Sequence, residues 1–288
     1  MVLTEILMKK LLYVVMLFAI FGLVGITSFS CSEKKTSQDS LYNDSLTNAS
    51  PEDSMEQIIS ETPMPKAADE LFDDFLFNFA ANKKLQLSRT VFPLVVTNGS
   101  QKTMLKKEQW KMEHFFMRQD FYTLIFDNSK QYDAVKDTSI SHVIVEKIYL
   151  NKKRVKQYIF DRKNGTWMMT SINTTDFSAS PNTSFLSFYN RFVSDSTFQI
   201  SSINDPLSFT GPDPDNDFGT IDGILLPEQW PSFAPPLPSK MIYNIIYGSQ
   251  GRGSNQKIFI IRGIANGLET KLTFKKKTGK WLLTNMVM

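Results

Sequence analysis

Apolar side chains in this chain fall into two kinds of spacing. Leu71, Phe72, Phe75, Leu76 and Phe79 recur three and four apart, with acids and Asn between them, which is the stripe of an amphipathic helix. That helix is predicted to start near Pro65, with Asp69, Glu70, Asp73 and Asp74 at its positive end, and to stop near Asn82-Lys83-Lys84. Phe185, Phe188, Tyr189 and Phe192 repeat the stripe behind a Pro181-Asn182-Thr183-Ser184 cap region. Elsewhere the spacing is that of strands. Residues 91–96 are β-branched and close at Asn98-Gly99, and residues 121–126 read as a buried strand. Residues 140–150 and 155–161 read as a hairpin about Asn151-Lys152-Lys153. Residues 166–172 follow Asn164-Gly165, a two-residue hairpin signal. Residues 106–116 are predicted as a short helix. Late in the chain Thr270, Leu272 and Phe274 alternate with Lys271, Thr273 and Lys275, the mark of a sheet buried on one face.

These elements occur twice in the same order. Phe79, Leu85, Leu87, Ser88, Pro93 and Leu94 match Phe192, Phe198, Ile200, Ser201, Pro206 and Leu207, each 113 positions later. Glu108-Gln109-Trp110 matches Glu228-Gln229-Trp230 at 120, and the run Tyr122 to Phe126 matches Tyr243 to Tyr247 at 121. Gly165-Thr166-Trp167 returns as Gly279-Lys280-Trp281 at 114. The period is too long for a solenoid unit and has the size of a small domain. The expectation is an α+β fold of two tandem repeats, residues 65–173 and 182–288. Each would be an N-terminal helix packed on a curved antiparallel sheet, with residues 174–181 between them.

The composition, 42% hydrophobic with 23 Phe in 288 residues, supplies large cores. A net charge of +3 recruits no nucleic acid. The N-terminus adds a location. Lys9-Lys10 precede the apolar residues 11–26, then Thr27-Ser28-Phe29-Ser30-Cys31, the order of a secretory leader. Glu5 is unusual in such a leader, so Met8 is the alternative start. Cys31 is the chain's one cysteine, and its place resembles the lipidated cysteine of bacterial lipoproteins, with Ser28 and Phe29 departing from the usual box. A transmembrane anchor is the competing reading, but the run is short for a span of about 20 residues. Residues 1–30 are thus expected to be a signal peptide. Residues 31–64, polar and poor in aromatics, are expected to be a disordered tether. The protein would sit in the bacterial cell envelope, at the outer membrane, held through its N-terminal lipid.

Glu108-Gln109-Trp110, Glu228-Gln229-Trp230 and the two Gly-x-Trp hairpins also resemble a family of uncharacterised lipoproteins of Bacteroidetes type. The resemblance spans residues 65 to 288. It implies an NTF2-like or cystatin-like cone, in which a bent sheet wraps a helix and leaves a pocket, and it brings no activity. In such a cone Trp110, Trp230, His114, Tyr122 and Tyr243 are the pocket candidates, with Asp120, Tyr149 and Tyr158 as further groups. For Trp110 and Trp230 the reading as core anchors takes precedence over the pocket, because both repeats keep them. His114 and His142 have no metal-ligand partner at helix or strand spacing, and no Gly-x-Ser-x-Gly elbow is present. Asp213, Asp215 and Asp217 alternate like a calcium loop, but Phe218 and Ile224 stand where an EF-hand needs Gly and Glu. A solvated turn is the favoured reading of these aspartates. No cofactor is expected. The leading expectation is a non-enzymatic module binding a small ligand or an envelope protein. A hydrolase or isomerase using the first cone and a purely structural spacer are the alternatives.

Overall fold

The computed structural model describes residues 64–248 and 253–288. The expected leader, Cys31 and the tether lie outside the described residues. The first apolar stripe forms a helix in two pieces. α1, Phe72–Ala81, buries Phe72, Phe75, Leu76 and Phe79. Asn82 then turns extended, and its side chain accepts the Leu85 N–H at 2.9 Å to start α2, Lys83–Ser88. Strands β1 (Thr90–Asn98) and β2 (Gln101–Leu105) make a hairpin. The predicted helix over 106–116 reduces to a 3-10 turn, Lys107–Gln109, followed by irregular chain. β3 (Phe121–Phe126), a one-turn helix α3 (Ser129–Asp133), and β4 (His142–Tyr149), β5 (Arg154–Lys163) and β6 (Thr166–Asp176) complete the half.

The second half follows the same plan. It runs α4 (Thr183–Phe192), α5 (Ser196–Ser201), β7 (Ile203–Asp213), β8 (Asn216–Leu225), α6 (Trp230–Phe233), β9 (Met241–Tyr247), β10 (Gln256–Gly263), β11 (Glu269–Lys277) and β12 (Lys280–Val287). The signature hairpin turns are built alike. Asn164 and Gly165 have φ of +50° and +76°, and Thr278 and Gly279 have +46° and +84°, so glycine serves where both turn residues are left-handed.

Two six-stranded sheets result, ordered β2-β1-β6-β5-β4-β9 and β8-β7-β12-β11-β10-β3. The pattern is identical except that β3 and β9 have changed places. Each half lends one strand to the other half's sheet, so neither sheet is contiguous in sequence, whereas tandem repeats would each have kept a sheet of their own. All pairings are antiparallel apart from β1–β6 and β7–β12.

The ladders correct one sequence equivalence. Val145 pairs with Tyr158 and Ile245, and Phe259 pairs with Leu272 and Ile125. Tyr158 and Leu272 are equivalent through their hairpins, so Ile245 corresponds to Ile125, an offset of 120. The similarity of Tyr122 to Tyr243 at 121 is therefore one residue out of register. On a pleated strand one residue reverses the face: Tyr243 points into its own sheet's cone, and Tyr122 points out of the back of the other.

The reason for the exchange lies where β3 and β9 cross. The Thr123 hydroxyl donates to the Tyr243 carbonyl at 2.5 Å and accepts the Tyr243 N–H at 3.0 Å. The Asn244 side chain accepts the Ile125 N–H and donates to Glu146, both at 2.9 Å. Every one of these groups is buried, so the crossing satisfies polar atoms that would otherwise be stranded. On either side lies a separate aromatic core. Phe75, Phe79, Phe160, Trp167 and Trp110 fill the first. Phe185, Phe192, Phe274, Trp281 and Trp230 fill the second.

The extra residues of the second half lengthen a hairpin rather than a loop. β7 and β8 run 11 and 10 residues against 9 and 5 for β1 and β2. The aspartates read as a calcium candidate fall in it. Asp213 accepts the Asp215 N–H at 2.9 Å and closes the hairpin's own turn, and Asp217 lies in β8. Among the described residues no group of three His, Cys, Asp or Glu side chains could hold a metal ion.

Candidate functional site at the rim of the first cone

The inner face of the first sheet is apolar at its centre and polar at one end. Val143 and Val145 of β4 are wholly buried, but the next inward positions are Lys147 and Tyr149. On β5 the same line runs Phe160, Tyr158, Lys156. On β9 it ends at Tyr243, 1% exposed.

Into this end reaches Glu113, from the irregular chain after the 3-10 turn. A buried glutamine fixes it there. The Gln86 side chain donates to the Phe79 and Glu113 carbonyls at 2.9 and 2.8 Å. It accepts from the Glu113 N–H at 3.0 Å and from the Trp110 indole N–H at 3.1 Å. Trp110 therefore anchors the segment to the core. Trp230 is fully buried in the second core.

The Glu113 carboxylate receives a short hydrogen bond from the Tyr158 hydroxyl and one from Lys147 Nζ at 3.0 Å, with Lys156 Nζ at 3.6 Å. Burial acts to raise Glu113, but the Tyr158 bond and the two lysines outweigh it and hold the carboxyl below its usual range. Burial lowers Lys156, against the pull of Glu113. Burial and the neighbouring Glu113 charge drive Tyr158 and Tyr243 well above the ordinary phenol range. The carboxylate is thus locked anionic and surrounded by donors, so it is a poor proton acceptor. The phenols are locked as donors. One of them is unspent: the Tyr243 hydroxyl is buried without a hydrogen-bond partner.

The second cone is the control. At the positions of Glu113, Lys147, Lys156, Tyr158 and Tyr243 it carries Phe233, Ile261, Thr270, Leu272 and Thr123. The fold does not require the polar cluster.

Of the residues expected from sequence to line a pocket, Tyr243 stands in the cluster, with Tyr158 and Tyr149. Tyr122 stacks on Phe116 at 4.8 Å, and Phe116 meets Tyr243 edge-on at 5.6 Å. The Tyr122 hydroxyl is engaged by Arg262 at 3.1 Å on the far side. His114 is half-buried, and among the described residues its ring makes no hydrogen bond. His142 Nδ1 lies 2.7 Å from Asp161 Oδ1 on an open sheet face, not in a pocket. Burial acts to raise Asp161, but that bond and one from Thr170 at 2.7 Å prevail and lower it. Asp120 is exposed in the chain before β3. Glu113, Lys147 and Lys156 were missed in the sequence. The signal was there: Lys147 on β4 and Lys156 on β5 interrupt inward apolar lines where the second half has Ile261 and Thr270.

Comparison with known proteins agrees with this architecture. The family described as Domain of unknown function (DUF4348) matches residues 51–288. A crystal structure of an NTF2-like protein from Bacteroides fragilis is 40% identical, with a TM-score of 0.72, covering 78% of this chain and 98% of that one. The fold is NTF2-like. No curated protein matches.

Proposed function

Since the chain belongs to the family described as Domain of unknown function (DUF4348), which fixes a fold and no chemistry, we propose that it is a binding protein of the cell envelope. Its site is the rim of the first cone, and its ligand is a small polar molecule. The observation that carries this reading is the Tyr243 hydroxyl, buried and unpartnered beside the Glu113–Lys147–Tyr158 cluster. A buried donor without an acceptor costs about 1–3 kcal/mol, and an acceptor atom on a ligand removes that cost. The carboxylate, already saturated with donors, is suited to orienting a ligand rather than to proton transfer, which supports binding over hydrolysis or isomerisation. The leader-like N-terminus and Cys31 support a lipid anchor, so the cone would work at the end of a tether on the envelope.

Two experiments test the two parts. Polar metabolites screened by thermal shift should yield a ligand that stabilises the wild type and not Tyr243→Phe; equal stabilisation of both would reject the site. For the anchor, Cys31→Ala should move the protein from the membrane to the soluble fraction, and unchanged membrane retention would reject lipidation.

A further inference from the structure

The duplication also exposes a second site. In the first half a crevice between α1, α2 and the start of β6 is plugged by an arginine. The Arg89 guanidinium lies 6.0 Å from the Phe75 ring centre and donates to the Trp167 carbonyl at 3.4 Å. Asp69 clamps it with bonds of 2.9 and 2.7 Å. In the second half Phe188 and Trp281 are the same aromatic walls, but Ser202 replaces Arg89 and Asn182 replaces Asp69. Asn182 has moreover turned away, to accept a bond from Lys257. Both halves of the plug are gone. In its place is a cavity of about 540 Å³ between α4, α5 and the β11–β12 hairpin, within the range of metabolite pockets.

Its lining states what it would take. Phe188, Phe198 and Trp281 give flat apolar walls. Arg191 lies on Phe198, its Cζ 4.1 Å from the ring centre, and its carboxylate contact is a 3.4 Å approach to Asp195. Lys280 stands at the rim. The hairpin behind it reads Lys275-Lys276-Lys277, where the first half has Asp161-Arg162-Lys163, and Lys280 itself replaces Thr166. The change from plugged to open is thus accompanied by a gain of positive charge. A guanidinium stacked on a ring presents its N–H edge to an anion in fixed geometry. We propose that this crevice binds a small organic anion, a phosphate or carboxylate carried on a flat apolar body. The body lies against Trp281 and Phe188, and the anion meets Arg191 and Lys280.

The test is calorimetric titration of the whole chain with 1-naphthyl phosphate. Saturable binding is expected. Arg191→Gln and Lys280→Gln, both at the surface, should each weaken it by about tenfold. Ser202→Arg, which restores the plug, should abolish it, with Ser202→Ala as the control that leaves it intact. Neutral 1-naphthol and inorganic phosphate should each bind more weakly than the joined molecule. Vesicles of phosphatidylglycerol form the second arm: binding to them with the same dependence on Arg191 and Ser202 supports the site with a lipid headgroup as the anion's source. No saturable binding, or binding indifferent to Ser202→Arg and Arg191→Gln, overturns the proposal. So does binding that Tyr243→Phe removes, because that would place the ligand at the cone rim.

Discussion

Tyr243 is the residue whose replacement separates stability from binding. Removing its hydroxyl removes a buried donor with no partner, so Tyr243→Phe should leave the unfolding free energy unchanged or raise it by about 1 kcal/mol. Chemical denaturation measures this, and a loss of stability would show the hydroxyl to be bonded. Glu113 behaves oppositely. Its carboxyl is held below the usual value of 4.5, so in the folded state it binds its proton later than in the unfolded chain as pH falls. Its contribution is complete above about pH 4.5 and is lost as the pH falls through the lower folded value. Glu113→Gln should flatten that acid limb in urea titrations between about pH 3 and 7. At neutral pH it should cost about 1.5–3 kcal/mol, the worth of hydrogen bonds to a charged group. An unaltered acid limb would mean that other carboxylates set it. Glu146 carries the reverse sign. Burial raises its pKa, against bonds from Asn244 and Gln157. A raised folded value favours the folded state at low pH and is a penalty once the pH exceeds it. Glu146→Gln should therefore remove that penalty at neutral pH, an effect that vanishes toward acid pH.

At the scale of elements, local pattern was readable and pairing was not. The helical stripes, the Asn-Gly and Gly-x-Trp hairpins and the doubled order all come from spacing a few residues long and are present in the structure, although the first helix begins at Phe72 rather than near Pro65, behind a 3-10 turn over Lys66–Asp69, and a new helix starts at Lys83 where the first was expected to stop. The 106–116 segment failed because it follows no helical rule: Gln86, a residue 24 positions from Trp110, holds it by side-chain bonds. The exchange of β3 and β9 was hidden for a related reason. Apolar runs such as residues 121–126 pair with any apolar neighbour, and what selects the neighbour is a contact some 120 residues away, Thr123 with Tyr243. The same blandness misled the alignment by one residue, since Tyr-x-x-Ile fits either face. Polar substitutions at equivalent positions carry more information. Lys257 stands where the first half has Val143, nearly buried, and is paired with Asp127 and Asn182. Lys257→Met would leave Asp127 buried and uncompensated, a loss of about 3–5 kcal/mol. Adding Asp127→Asn should recover much of it. A double mutant no more stable than the single would show that Lys257 acts through packing alone.

Over the whole molecule, the exchange ties two cores into one thermodynamic object. β9 completes the sheet around α1, and β3 completes the sheet around α4. Neither core can lose its sheet without stripping a strand from the other. Further bonds cross the same boundary: Arg262 of β10 donates to Tyr122 of β3 at 3.1 Å and to Tyr132 of α3 at 2.8 Å, while Tyr247 of β9 donates to Asp73 of α1. Two independent NTF2-like repeats would melt in two steps, each with its own midpoint. Interlocked ones should melt in one, with the calorimetric enthalpy equal to the van't Hoff enthalpy. Phe160 of the first core is fully buried against Phe72, Phe75 and Phe79, so Phe160→Ala should cost about 3–5 kcal/mol. The consequence that distinguishes the two pictures is where that cost is felt. With exchanged strands the single transition should move as a whole, including the fluorescence of Trp230 and Trp281 in the second core. A second transition left at the wild-type midpoint would mean that the halves unfold separately and that the crossing of β3 and β9 contributes little to their coupling.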